Sequence, residues 1–110
     1  MVNIFKIVEE LKRIGREDIF IVEDVAQAHG AMLNSIQAGT IGRFGAFSFY
    51  PSKNIGALGD GGAIFCENIE DFEKLIMLRN YGQKDRYNAL IPKGINIRLD
   101  EIQAAILSVS

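Results

Sequence analysis

The apolar positions of the chain first recur at the spacing of one helical face and later form continuous or alternating runs. The helical spacing over residues 4–14 predicts an amphipathic helix, which Gly15 would end in a left-handed conformation. A continuous apolar run follows, Ile19-Phe20-Ile21-Val22, and it predicts a short strand buried on both faces, as in a parallel sheet. A helix followed by such a strand is typical of an α/β fold.

In the middle of the chain, small and aromatic residues alternate instead of recurring at helical spacing. Small and aromatic side chains alternate from Gly45 to Tyr50, which predicts a strand that Pro51 ends, because proline cannot donate to a sheet. Residues 30–45 are rich in glycine and small polar residues and predict a loop with room for one short strand. A third strand is predicted for the run Ala63-Ile64-Phe65-Cys66.

Two helices are predicted in the last third of the chain. Asn68 with Asp71, and Asp100 with Gln103, each have the spacing of a capping box at a helix start. Each pair is followed by apolar residues at helical spacing. Between the two helices, residues 83–93 are polar and irregular, which predicts a mobile loop.

The composition excludes several classes of function. The chain has 110 residues and a net charge of −2, so it lacks the positive surface expected of a protein that binds nucleic acid or an anionic membrane. No apolar run reaches the roughly 18 residues that span a bilayer. A single cysteine and a single histidine, Cys66 and His29, argue against a disulfide and a zinc site. We therefore expect a cytoplasmic protein without a metal.

An acid and an amine follow two of the predicted strands. Asp24 comes at the carboxyl end of the first strand, and Lys53 comes just after the second. Ligands of open α/β sheets bind off this end of the strands. Gln27 would share a face with Asp24 if the chain turns helically after the strand. A lysine among apolar and glycine-rich sequence can attack a carbonyl and form a Schiff base, which indicates a site for an organic cofactor.

These residues also have ordinary explanations. Asp24 can cap the turn that follows it, and Lys53 can be a solvated surface charge. The segment from Gly56 to Gly62 can cradle a phosphate, but the lysine precedes the glycines and neither common nucleotide-binding motif is present. We interpret this segment as a tight turn that lets backbone pass close to a ligand or to Lys53.

Four ordered blocks of the sequence resemble the sugar aminotransferases of the DegT/DnrJ/EryC1/StrS family: VEDVAQAHGA, FGAFSFYPSKNIGALGDGGAI, LRNYG and GINIRLDEIQAAIL. The resemblance runs from Val22 to Leu107. It implies an α/β fold, namely the central segment of the large domain of a fold-type-I pyridoxal-phosphate transferase. Such a domain has a mixed, mostly parallel sheet with flanking helices.

The resemblance implies roles for five residues. Lys53 matches the catalytic lysine that forms a Schiff base with pyridoxal 5′-phosphate, and Asp24 matches the aspartate that pairs with the pyridine nitrogen. Gln27 matches a residue beside the phenolic oxygen of the ring, and Ser48 matches a side chain near the phosphate. Asn96 matches a residue that reaches toward the phosphate of the partner subunit, which implies a homodimer in the full-length form.

The reaction implied is transfer of an amino group from glutamate to a nucleotide-linked keto sugar. The block Arg79-Asn80-Tyr81-Gly82, together with the block from Gly94 to Glu101, most resembles the branch that acts on a dTDP-3-keto-6-deoxyhexose. Within the second block, Arg98 is the alternative to Asn96 for the contact with the partner's phosphate. One alternative is a non-catalytic or dehydratase relative of the same fold; some relatives replace the lysine with histidine, so Lys53 favours amino transfer. Another is a small nucleotide-binding or interaction domain, which the glycine-rich segment alone would support.

Family members are several-fold longer than this chain. We therefore expect residues 1–110 to form a partial large, cofactor-binding domain, with the N-terminal phosphate-binding part and the C-terminal small domain absent. Strands that lose their neighbours would have unpaired edges, which is an aggregation hazard. We expect the isolated chain to be a poor enzyme or an inactive piece.

Overall fold

The computed structural model describes residues 2–109, which form three helices and seven short strands. In chain order these are α1 (Ile4–Arg13), β1 (Val22–Asp24), β2 (Met32–Leu33), β3 (Ile36–Gln37), β4 (Phe44–Ser48), β5 (Gly62–Phe65), α2 (Ile69–Leu78), β6 (Gln83–Asp85), β7 (Asn88–Ala89) and α3 (Glu101–Leu107). Within residues 2–109, no helix combines the length and apolar character needed to cross a bilayer.

The central sheet has the strand order β1-β4-β5. β1 pairs with β4 in parallel, with Asp24 opposite Ala46, and β4 pairs with β5 in antiparallel, with Ser48 opposite Gly62. A parallel pair needs a long crossover, and residues 25–43 provide it. The expected α/β fold with a mixed sheet is confirmed.

β1 begins later than the sequence predicts. It starts at Val22 rather than Ile19, although the carbonyl of Ile21 already accepts a hydrogen bond from the N–H of Arg43 at 2.9 Å. The prediction that this run is buried on both faces is wrong. Phe20 and Val22 are 62% and 61% exposed, because no element of the described chain covers that side of the strand. The Arg43 guanidinium stacks on the Phe20 ring, with Cζ 4.0 Å from the ring centroid.

Two short hairpins flank the central sheet. In the first, β2 and β3 are joined by Asn34 and Ser35, which both adopt positive φ, at 52° and 63°. Two left-handed residues in a two-residue loop give the twist that antiparallel strands require. The loop predicted for residues 30–45 thus contains a complete hairpin.

The second hairpin replaces the mobile loop predicted for residues 83–93. β6 pairs with β7, and the N–H groups of Leu90 and Ile91 both donate to the carbonyl of Gly82, at 2.9 and 3.2 Å. Gly94 packs directly on the backbone of Gly82, at a distance that leaves no room for a side chain. The prediction is wrong because this backbone contact fixes both ends of the segment.

The two predicted capping boxes have different outcomes. Asn68 caps α2, since its Oδ1 accepts from the N–H groups of Glu70 and Asp71 at 2.8 and 3.2 Å, as predicted. Asp100 occupies the N-cap position of α3 without a side-chain capping hydrogen bond. The capping box predicted there is wrong, because Gln103 bonds to a distant part of the chain instead.

The molecule is flat and has little core. Its accessible surface is 8093 Å², against about 6,100 Å² for a compact monomer of this mass. Its extents are 45 × 35 × 18 Å. The described apolar residues that are buried are Val25, Ala38 and Ala57, whereas all four residues of β5 are exposed. Apolar faces that a larger domain would cover are therefore open to solvent.

Candidate functional site

A cavity of about 890 Å³ lies beside β1 and the turn that follows it. Its walls come from the first helix, from residues 21–28 and from the turn before the glycine-rich segment. Asp24, Gln27 and Lys53 all line it. The structure therefore brings three of the five predicted site residues, from separate parts of the sequence, to one space.

Asp24 ends β1 and is exposed at this cavity. Its Oδ1 accepts a hydrogen bond from the N–H of Ala26 at 3.0 Å, while the N–H of Val25 donates to the carbonyl of Ala46 at 2.8 Å. The ordinary explanation, a cap on the following turn, is thus correct for one carboxylate oxygen. Within the described residues the second oxygen makes no recorded hydrogen bond, so the cap leaves it available for a ligand.

Gln27 follows Asp24 on a tight turn. The N–H of Ala28 donates to the carbonyl of Val25 at 3.0 Å, which closes that turn. Gln27 is exposed and lines the same cavity as Asp24. This placement is consistent with the prediction that the side chains of Asp24 and Gln27 share one face.

Lys53 sits on a turn directly after β4. Its N–H donates to the carbonyl of Tyr50 at 2.9 Å, and its side chain is half-buried. A side chain at Gly56 would lie 2.7 Å from the carbonyl oxygen of Pro51. Glycine is needed there because backbone passes directly against the turn of Lys53, as the sequence predicts for this segment.

The glycine-rich segment returns to β4 through two backbone hydrogen bonds. The N–H of Ala57 donates to the carbonyl of Phe49, and the N–H of Phe49 donates to the carbonyl of Gly61, both at 2.8 Å. Ala57 is buried, so its position is fixed by packing as well. Lys53 therefore lies on a closed loop rather than on a free surface segment.

Ser48 and Asn96 are not among the residues that line the cavity. Ser48 ends β4 and its Oγ accepts from the N–H of Tyr50 at 3.3 Å. Asn96 is exposed, and its Oδ1 accepts from Nε of Arg98 at 3.0 Å. Asn96 and Arg98, the two candidates for one role, are thus hydrogen-bonded to each other. The phosphate-binding roles of Ser48 and Asn96 stay predictions.

Glu23 is a site residue that the sequence patterns did not indicate. It is 5% exposed, and its two oxygens accept from the backbone N–H groups of Gly39, Ile41 and Gly42 at 2.7–2.8 Å. Hydrogen bonds to a charged acceptor are stronger than neutral ones, and together they satisfy a buried carboxylate. Through these hydrogen bonds, Glu23 holds the crossover between β1 and β4 against β1, directly beside Asp24. An acidic residue inside a predicted strand is the signal that could have found it.

An ion pair connects the residue before β4 to the first turn of α2. The Arg43 guanidinium donates to both carboxylate oxygens of Asp71, each at 2.6 Å. These hydrogen bonds are the main cause that lowers the pKa of Asp71, and they outweigh the opposing effect of burial. The pair holds the second helix in place beside the sheet that carries the site.

His29 packs as an aromatic ring behind the site. Its centroid lies 5.8 Å from that of Phe47 and 5.9 Å from that of Phe49. Both ring nitrogens are buried and have no hydrogen-bond partner within residues 2–109. In that same range, no group of three or more metal-ligating side chains comes together.

The sequence model of the DegT/DnrJ/EryC1/StrS aminotransferase family matches residues 5–110 of this chain. The chain belongs to this family. The chain is 50% identical over 94 residues to dTDP-3-amino-3,4,6-trideoxy-alpha-D-glucose transaminase of Streptomyces venezuelae, covering 86% of this chain and 24% of that relative. It is 46% identical over 94 residues to a pleiotropic regulatory protein of Geobacillus stearothermophilus, covering 86% of this chain and 25% of that relative.

The fold also matches the family. The crystal structure of S. venezuelae DesV in complex with a ketimine intermediate superposes with a TM-score of 0.89 at 44% identity, covering 99% of this chain and 28% of that one. The predicted family and fold class are therefore confirmed. The chain spans about a quarter of the length of the curated relatives it matches.

Proposed function

We propose that this chain is the lysine-bearing part of a pyridoxal-phosphate-dependent aminotransferase acting on nucleotide-linked keto sugars. The observation that carries the proposal is the meeting of Asp24, Gln27 and Lys53 at one cavity. The sugar class, a dTDP-3-keto-6-deoxyhexose, is supported by the 50% identity to a transaminase of a dTDP-3-amino sugar. Glutamate as the amino donor and a homodimeric, cytoplasmic full-length enzyme belong to the same proposal.

The cavity suits the cofactor in size and chemistry. Its volume of about 890 Å³ falls within the roughly 300–1,000 Å³ of cofactor and ligand pockets. Its lining combines apolar residues with the acids Glu23 and Asp24, the amide of Gln27 and the amine of Lys53. These groups are the ones required to bind a protonated heterocycle that carries an aldehyde.

Each residue has a distinct task in this proposal. When bound, pyridoxal phosphate supplies an electron-accepting ring that stabilises a carbanion. Lys53 would hold the cofactor covalently and, once displaced by an incoming amine, carry a proton with its freed amino group. The Asp24 carboxylate would keep the ring nitrogen protonated, and the Gln27 amide would donate to an oxygen of the ring.

The phosphate would need residues from outside this cavity. Ser48 and Asn96, or Arg98 in its place, are proposed to bind it, with Asn96 acting across a dimer interface. We further propose that residues 1–110 are a partial large domain, since they align over 99% of their length with 28% of a family structure.

Borohydride reduction tests the proposal directly. The purified chain is incubated with pyridoxal phosphate and reduced, and the modified peptide is located by mass spectrometry. We expect the label on Lys53, its loss in Lys53→Ala, and no loss in a control variant, Lys84→Ala. A label spread evenly over the lysines would contradict the proposal.

A second candidate function is regulatory. The Geobacillus relative, 46% identical, is named for regulation and not for amino transfer. A regulatory relative need not use the lysine chemically. The borohydride labelling experiment separates amino transfer from regulation, because only amino transfer requires that Lys53 react in preference to the other lysines.

A further inference from the structure

The C-terminal helix contacts the glycine-rich segment that closes the loop of Lys53. The side-chain Oε1 of Gln103 accepts a hydrogen bond from the backbone N–H of Leu58 at 2.9 Å, across 45 positions of sequence. A side chain at Gly59 would lie 3.4 Å from Nε2 of the same amide. Gln103 is half-buried, whereas most of α3 around it is exposed.

A second side chain of the same segment adds to this contact. Leu99 lies just before Asp100, the N-cap residue of α3, and contacts the same segment. A side chain at Gly61 would lie 3.0 Å from Cδ1 of Leu99, so this leucine packs directly against Gly61. Leu99 and Gln103 together thus hold the glycine-rich segment from one side.

The held segment is continuous with the turn of Lys53. Leu58 follows Ala57, whose N–H donates to the carbonyl of Phe49, and Gly56 lies against the carbonyl of Pro51. The side chain of Leu58 is 76% exposed, so hydrophobic burial of that side chain does not hold the segment. The hydrogen bond from its backbone N–H to the Gln103 amide instead adds to the two backbone hydrogen bonds that join the segment to β4.

We propose that Gln103 is a positioning residue for Lys53. By binding the N–H of Leu58, it fixes the segment that packs against the lysine's turn, and so sets where the amine lies at the cavity. A catalytic role for the positioning of Lys53 by Gln103 rests on the proposed function. The positioning itself can be measured without any cofactor.

Three variants separate the hydrogen bond from the packing of the side chain. Gln103→Leu has a similar volume but cannot accept a hydrogen bond. Gln103→Glu keeps an acceptor oxygen at the same reach and should rescue the contact. Gln37→Leu makes the same chemical change at an exposed position of β3 and is the matched control.

The first measurement is hydrogen exchange at the backbone amides. In Gln103→Leu we expect exchange at Leu58 and Ala57 to rise roughly 2- to 10-fold, the effect of losing one hydrogen bond of ordinary strength. Hydrogen exchange at the backbone N–H of Lys53, which donates to the carbonyl of Tyr50, should also become faster. Gln103→Glu and Gln37→Leu should exchange like the parent chain, and far-ultraviolet circular dichroism verifies that each variant is folded.

The second measurement is the reactivity of the Lys53 amine. Trace acetylation with acetic anhydride is compared between Lys53, which is half-buried, and the exposed Lys84 as an internal reference. We expect the ratio to rise about 2-fold or more in Gln103→Leu and to return to the parent value in Gln103→Glu.

The proposal is overturned if Leu58 loses protection while the exchange and reactivity of Lys53 stay unchanged. It is also overturned if Gln37→Leu has the same effect as Gln103→Leu. Failure of the parent chain to take the borohydride label at Lys53 would instead count against the proposed function. The acetylation ratios would still decide the role of Gln103.

Discussion

The buried carboxylate of Glu23 accepts a hydrogen bond from the backbone N–H of Gly39 at 2.8 Å. The same carboxylate also accepts hydrogen bonds from the backbone N–H groups of Ile41 and Gly42. The next residue, Asp24, lines the same cavity as Glu23 but is exposed there. The carboxylate of Glu23 is thus occupied in fixing the crossover, whereas that of Asp24 is accessible at the candidate site.

Replacing Glu23 should destabilise the chain strongly. Glu23→Gln keeps one acceptor but turns an amide N–H₂ group toward backbone donors, so we expect a loss of about 2–4 kcal/mol in the free energy of unfolding. Urea denaturation followed by circular dichroism measures it. The exposed Glu17→Gln should change stability by less than about 0.5 kcal/mol. Equal effects of the two variants would show that the three hydrogen bonds contribute nothing.

Asp24→Asn should separate the capping role of this residue from its charge. The asparagine Oδ1 can still accept from the N–H of Ala26, so we expect stability within about 0.5 kcal/mol of the parent chain. Losing the charged partner of a ring nitrogen should lower the affinity for pyridoxal phosphate about 10- to 100-fold. The measurement is the cofactor concentration that gives half-maximal borohydride label on Lys53. An unchanged concentration would refute a contact between the carboxylate and the cofactor.

The Arg43–Asp71 ion pair should make stability depend on acid pH. The pKa of Asp71 is lowered in the folded state, so its contribution is complete above the unfolded value of about 3.9. It disappears as the pH falls through the lower folded pKa, because protonation then breaks the pair. Thermal unfolding of the parent chain and of Asp71→Asn should therefore differ most near neutral pH and converge as the pH falls through the lowered pKa of Asp71. Asp85→Asn serves as an exposed control, and a difference that does not shrink in acid would argue against the pair.

Gly94→Ala should loosen the second hairpin. The added methyl group would meet the backbone of Gly82, which cannot move without breaking its hydrogen bonds to Leu90 and Ile91, and we expect a cost of about 2–4 kcal/mol. Gly15→Ala is the comparison, because Gly15 has open space around it and only its positive φ of 67° to oppose a side chain. That strain alone costs about 1–2 kcal/mol. Urea denaturation that ranks Gly15→Ala as the more harmful change would contradict the close backbone contact.

Ser35→Gly should stabilise the first hairpin. Ser35 has a φ of 63°, a conformation that glycine adopts without the steric cost of a side chain, and Asn-Gly is the favoured pair for this turn. The gain should be about 0.5–1 kcal/mol, reduced by the greater flexibility of glycine in the unfolded chain. A shift of the urea midpoint to higher concentration measures it. Ser52→Gly, where φ is not positive, should give no gain.

The sequence predicted what depends on local periodicity. α1, β4, β5 and α2 all lie near the patterns that predict them, although β4 ends at Ser48 rather than at Tyr50, and the Asn68 cap is formed as expected. The convergence of Asp24 and Lys53 on one cavity also followed, because a parallel pair of strands puts both carboxyl ends at one edge of the sheet.

What the sequence did not reveal depends on contacts between distant residues. Gln103 has the spacing of a capping partner for Asp100, yet its amide binds Leu58, 45 positions away. The hairpin of residues 83–93 consists of polar residues, and its order comes from the contact between Gly82 and Gly94. The exposure of Phe20 depends on which elements cover the strand, and a continuous apolar run cannot indicate that.

The outer strand β5 has a practical consequence. Gly62–Phe65 carries no charge, all four residues are exposed, and only one side of the strand is paired within the described sheet. Nothing in that strand repels a second copy of itself, so hydrogen bonds between molecules can extend the sheet. Protein concentration, more than temperature, should therefore limit how long a solution of this chain stays monodisperse.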